Sequence, residues 1–173
     1  ASLHMLAIFG FEWTGGWIAV RWLSGWDLLQ GLFNALLALA LFVLVALGEE
    51  LMFRGYIQVN LQEKAGMVPA LVISSVLFGI VHALNPNFRW LALLNIILAG
   101  LVLGYGRWAT GNLWLPIAYH FAWNFVQGAI FGLPVSGMRY GGMLEVVERG
   151  TAPWITGGAF GPEGGLIATL VLL

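Results

Sequence analysis

Cysteine is absent from the 173-residue chain, and charge is scarce. Without a thiol there is no disulfide framework, no thiolate metal site and no cysteine nucleophile. Seven Lys+Arg and eight Asp+Glu make up 9% of the residues, against about 25% in an ordinary soluble domain. That scarcity excludes a disordered chain, a basic nucleic-acid-binding face and an ordinary soluble enzyme surface. A net charge of −1 gives no electrostatic reason to seek a charged partner. Asn-Gly and Asp-Gly turns are missing, and period-2 alternation is nowhere sustained, which argues against a β-barrel. What is present is apolar: 60% of the residues are hydrophobic. The chain reads as one domain of an integral membrane protein.

Four uncharged runs support this. The 21 residues Leu28–Gly48 are dense in Leu, Ala and Val, and further runs cover Ala65–Phe88, Trp90–Gly106 and Trp108–Met138. Each reaches or approaches the ~20 residues that cross ~30 Å of hydrocarbon as a helix. We therefore expect an all-α polytopic membrane protein, a bundle of at least four transmembrane helices around a buried polar site. The helices are placed at 28–60, 66–84, 90–106 and 111–133. Residues 5–26, with Trp13, Trp17, Trp22 and Trp26, suit a segment lying at the interface. Residues 136–165 read as a Gly-rich loop, and 164–173 as a partial helix. His4 precedes the first Met and is set aside as a cloning remnant. Alternating helices place four Arg on one side against Lys64 and Arg107 on the other, too small a bias to orient the chain.

The ionisable residues inside these runs are the informative ones. Each costs roughly 2.5–3.5 kcal/mol near the bilayer centre on insertion scales. The first helix carries Glu49, Glu50 and Arg54, the second Phe78 and His82, the fourth His120 and Asn124. At about 1.5 Å per residue from a common face, Glu49, His82, His120 and Asn124 lie within a band of ~11 Å. One shared site is the simplest reading. Glu50 and Arg54, at i,i+4, can pair, which leaves Glu49, turned by about 100°, as the carboxylate free to act as a base. His120 and Asn124 share a helix face in the same way. Gly100 and Gly104 read as close-packing glycines, Asn95 as an interhelical hydrogen-bonding group and Glu163 as a loop carboxylate.

GluGluLeuMetPheArgGly at 49–55 resembles the EExxxR motif of the CPBP family, which comprises CAAX-type intramembrane proteases and bacteriocin-processing or abortive-infection proteins. PheGlyIleValHis at 78–82 is similar to its FxxxH motif, and HisPheAlaTrpAsn at 120–124 to its HxxxN motif. The likeness extends over about Leu28 to Glu163. Family members carry extra helices at one or both ends, so the resemblance implies a shortened chain. It also implies hydrolysis of peptide bonds in membrane-associated, CAAX-like or leader-peptide substrates. Glu49 and His82 would activate a water, and His120 and Asn124 would donate to the oxyanion. Glu50, Arg54 and Phe78 would support them. The family is commonly labelled metalloprotease, so a Zn²⁺ on Glu49, His82 and His120 stays open beside glutamate-type catalysis. The implied setting is the bacterial inner membrane, with a peptide or protein substrate and the lipid bilayer as partners and no nucleic acid; the sequence does not fix an oligomeric state. A proton-coupled transporter would also hold Glu, His and Arg at mid-membrane, but no inverted repeat accompanies them. A non-enzymatic membrane immunity or binding protein is the other alternative, and the complete set of polar residues argues against it.

Overall fold

The computed structural model describes residues 1–150 and 152–173. It is mainly helical. Helix α1 covers Ser2–Thr14 and strand β1 Ile18–Trp22. Helix α2, Gly25–Glu50, runs without a break through a π-helical stretch, Leu51–Ile57, into α3, Gln58–Ala65. Then follow α4 (Met67–His82), α5 (Trp90–Thr110) and α6 (Trp114–Asn124), which passes into a second π-helical stretch, Phe125–Ile130. Strand β2 (Leu144–Glu148), the short helix α7 (Pro153–Thr156), two 3₁₀ turns and α8 (Leu166–Leu172) complete the chain.

The boundaries follow local chemistry. Asp27 lies in the first turn of α2, where a carboxylate complements the N-terminal end of the helix dipole. The long helix ends where Gly66 adopts φ 84°, and α5 ends at Gly111 with φ 69°, its N–H returning to Arg107 O. Gly25–Ala65 forms 41 continuous residues, and together with α5 it is long and apolar enough to cross a membrane. Helix α4 has 16 residues and is shorter than a full span. On α2, side chains such as Leu36, Leu37 and Leu44 are exposed to the surroundings. An apolar face of this size suits lipid.

Two features depart from a purely helical bundle. The segment 5–26 divides into most of α1, the strand β1 and the first residues of α2. That strand pairs antiparallel with β2 from Ile18↔Glu148 to Trp22↔Leu144, and Arg21 forms an ion pair with Glu145. The Gly-rich stretch is folded rather than loose, and its residues Thr156, Phe160 and Glu163 are buried. Met5, Ile8 and Phe9 of α1 pack with Trp123 of α6 and Ile167 of α8, with Phe9 stacked on Phe131. His4 belongs to this packing, its Nδ1 lying 2.6 Å from Tyr119 Oη. A second cluster, Phe53, Phe78, Ala92, Ile96 and Phe160, lies directly under the polar site.

Candidate active site

Glu50 and Arg54 are fully buried, with no exposed surface at either side chain. Arg54 Nη1 donates to Glu50 Oε1 at 3.0 Å, the i,i+4 pairing that the spacing implies. Its Nη2 donates to Gly100 O at 3.2 Å, and the guanidinium lies 4.2 Å from the centre of the Phe78 ring. The cation is thereby held by a carboxylate, a carbonyl and an aromatic face. Gly100 and Gly104 let α5 come close: a Cβ on Gly100 would sit 2.9 Å from Ser75 Cβ, and one on Gly104 2.7 Å from Gln58 Oε1. They do more than pack, because their carbonyls accept from Arg54 and from Gln58 Nε2 (2.9 Å).

Glu50 Oε1 also meets His120 Nδ1 at 2.9 Å, while His82 Nδ1 lies 2.7 Å from Phe78 O. A carbonyl only accepts, so His82 must donate from Nδ1; an ionised Glu50 imposes the same on His120. In their neutral forms both rings then direct a bare Nε2 toward Glu49. Glu49 Oε2 is 3.8 Å from His82 Nε2 and 3.7 Å from His120 Nε2, and among the described residues no hydrogen bond satisfies this buried oxygen. These gaps exceed a direct hydrogen bond. Phe78 packs edge-on against both imidazoles, with ring centres 4.7 Å from His82 and 6.0 Å from His120.

Asn124 is 8% exposed and lies where two cavities meet. The first, of about 200 Å³, holds Glu49 and Tyr140. The second, of about 50 Å³, is more apolar and is walled by Phe78, Ile96, Leu103, Trp123 and Glu163. His82, His120, Asn124 and Ser136 line both. Glu49, His82, His120 and Asn124 therefore share one cleft, with Phe78 in its wall and Glu50 and Arg54 behind it.

The family model of the type II CAAX prenyl endopeptidases, Rce1-like, matches residues 31–126, more than half of the chain, and spans all seven of these residues. The chain belongs to the Rce1-like family. This is a family of membrane-embedded proteases, so a peptidase is the supported class. No curated protein sequence and no solved structure matches the chain. Among the described residues, no three His, Cys, Asp or Glu side chains are grouped so as to hold a metal ion, Glu49, His82 and His120 included.

Residues outside the family match also line the cleft, Glu163 and Ser136 among them. Glu163 is 7% exposed rather than a solvated loop carboxylate. Gln127 Nε2 donates to its Oε2 at 2.6 Å, and the Ser136 N–H to its Oε1 at 3.3 Å. Burial pushes its carboxyl up to about 7, while hydrogen bonds from its own backbone, Gln127 and Ser136 oppose the rise. Asn95 fastens the same segment, donating to Glu163 O and Gly165 O and accepting from Thr169 Oγ1. The signal for Glu163 in the sequence was a lone carboxylate inside an apolar Gly-rich run, ThrGlyGlyAlaPheGlyProGlu.

Proposed function

We propose that the protein is an intramembrane endopeptidase of the CAAX type that activates a water between Glu49 and the two imidazoles. The observation that carries the reading is the single Glu49 oxygen facing two Nε2 atoms across gaps of 3.7 and 3.8 Å. A water there gives one proton to Glu49 Oε2 and keeps its second toward His82 Nε2, whose lone pair is fixed by the Nδ1–H bond to Phe78 O. The oxygen then attacks the scissile carbonyl. The developing oxyanion is met by the Asn124 carboxamide and, in its doubly protonated form, by His120 Nε2–H. Glu50 orients the ring by accepting from its Nδ1 at 2.9 Å. Collapse of the tetrahedral intermediate breaks the C–N bond, and the proton held by Glu49 passes to the leaving amine.

Membership of the type II CAAX prenyl endopeptidase family supports a substrate bearing a prenylated cysteine three residues from its C-terminus. The test is a quenched-fluorescent peptide ending in farnesyl-cysteine and three further residues, offered to detergent-solubilised protein. Cleavage on the carboxyl side of the cysteine, lost at least 100-fold in Glu49→Gln, His82→Ala and Asn124→Ala, is the expected result. Full turnover in Glu49→Gln overturns the reading.

A further inference from the structure

We propose that Ser136 is a further substrate-contacting residue of this peptidase, its hydroxyl donating a hydrogen bond to the substrate backbone where the chain passes between the two cavities. The proposal rests on the peptidase reading. Its evidence is the backbone that presents the residue.

Val135, Ser136, Gly137 and Met138 form a two-residue hairpin. Val135 N–H donates to Met138 O at 2.8 Å, and Met138 N–H to Val135 O at 3.0 Å. Both central residues have positive φ, 47° at Ser136 and 89° at Gly137. That pattern is the type I′ turn, which favours Asn, Asp or Gly at both central positions. Gly137 meets the requirement and has no room for a side chain, since a Cβ there would collide with the Pro86 carbonyl. Ser136 does not meet it. An L-residue with an ordinary side chain is strained in the left-handed region, and an observed outlier of this kind points toward function.

The surroundings hold the strained turn in place. Glu163 Oε1 accepts the Ser136 N–H, Phe160 O accepts the Gly137 N–H at 2.7 Å, and Asn87 Nδ2 donates to Gly137 O at 3.3 Å. Glu163 is fixed by Gln127, which also donates to Pro134 O at 2.5 Å. Three separate segments thus converge on a four-residue turn. The result is to place Ser136 on the wall of both cavities, beside His82, His120 and Asn124. Among the described residues, no partner engages its hydroxyl. A small donor without a partner, where the two cavities meet, is suited to a substrate carbonyl. In these terms Glu163 is a positioning residue, acting through the Ser136 amide.

The experiment separates hydroxyl from backbone. Ser136→Gly removes the hydroxyl and relaxes the positive φ, so a purely structural role predicts equal or higher activity. The proposal predicts a roughly tenfold fall in kcat/KM on the farnesylated reporter peptide, the loss of one neutral hydrogen bond, with an unchanged or higher thermal midpoint. Ser136→Ala, which removes the hydroxyl and keeps the strain, is expected to lose the same activity at a parental thermal midpoint. Parental kcat/KM in Ser136→Gly overturns the proposal, as does a loss of activity accompanied by a lower midpoint. Glu49→Gln is run in parallel. Cleavage by the parent that persists in Glu49→Gln overturns the catalytic reading, whereas abolition in Glu49→Gln with full activity in Ser136→Gly overturns only the role of Ser136. Absence of cleavage by the parent overturns both.

Discussion

Removing Arg54 alone should cost far more stability than removing it together with Glu50. In Arg54→Met the Glu50 carboxylate stays fully buried and keeps only His120 as a partner. Stranding one member of a buried pair costs about 3–5 kcal/mol. Loss of the guanidinium over Phe78 adds about 1 kcal/mol. The single variant is therefore destabilised by about 4–6 kcal/mol. Glu50→Leu strands Arg54 at a similar cost, leaving it the Gly100 carbonyl and the Phe78 face. In the double variant neither charge remains, and the main penalty is His120 Nδ1–H without its acceptor, about 1–3 kcal/mol. The double-mutant cycle should thus give a coupling energy of at least about 3 kcal/mol. Unfolding in mixed micelles measures stability, and the reporter peptide measures turnover. Stability should recover in the double variant while turnover stays about 10–100-fold low, because the group that orients His120 is gone. Additive single effects, or a double variant with parental turnover, refute the reasoning.

Glu49→Gln should unfold no earlier than the parent while losing turnover, since its buried oxygen has no hydrogen bond to lose; thermal melts beside the peptide assay check both. Glu12, 1% exposed on α1, is pushed up to about 8, chiefly by burial and then by Glu148 and Glu163. A carboxyl raised on folding stabilises below its unfolded value of about 4.5 and loses that contribution as pH rises toward 8. Unfolding midpoints should accordingly fall between pH 5 and pH 9, and Glu12→Gln should flatten the profile. Gly104→Val drives a side chain into Leu71 and Gln58, so a loss of more than 2 kcal/mol is expected in the same unfolding assay. Cleavage should withstand EDTA and o-phenanthroline under the water-activation reading; elemental analysis showing one equivalent of zinc, with activity lost on chelation and restored by zinc, refutes it.

What could be read in the sequence was whatever depends on spacing along one helix. The apolar runs locate α2, α4, α5 and α6, and helical rise alone brings Glu49, His82, His120 and Asn124 to a similar depth. The pairing of Glu50 with Arg54 follows from i,i+4 geometry. What could not be read depends on distant partners. The strand Ile18–Trp22 exists because Leu144–Glu148, more than a hundred residues away, pairs with it. The carboxylates of Glu12 and Glu163 look like surface charges until three-dimensional packing covers them. Ser136 has no motif around it, and its place in the cleft comes from a hairpin clamped by Asn87, Phe160 and Glu163. The double use of Gly100 and Gly104 was half visible: small residues signal close approach, but not that their carbonyls receive Arg54 and Gln58.

The two π-helical stretches begin immediately after Glu50 and immediately after Asn124. Each accommodates an additional residue within an otherwise regular helix. The polar residues upstream and the packing residues downstream consequently obey two different angular phases on one rod. Removing a single residue from 51–57 would turn the stretch back into plain α-helix and leave everything beyond it facing nearly the same way. Gln58 would then keep its reach to the Gly104 carbonyl while Glu49 and Glu50 kept their direction. The same deletion in a plain α-helical stretch would turn everything beyond it by about 100°. The spare residue acts as a clutch, letting chemistry and packing on a shared helix be aimed independently.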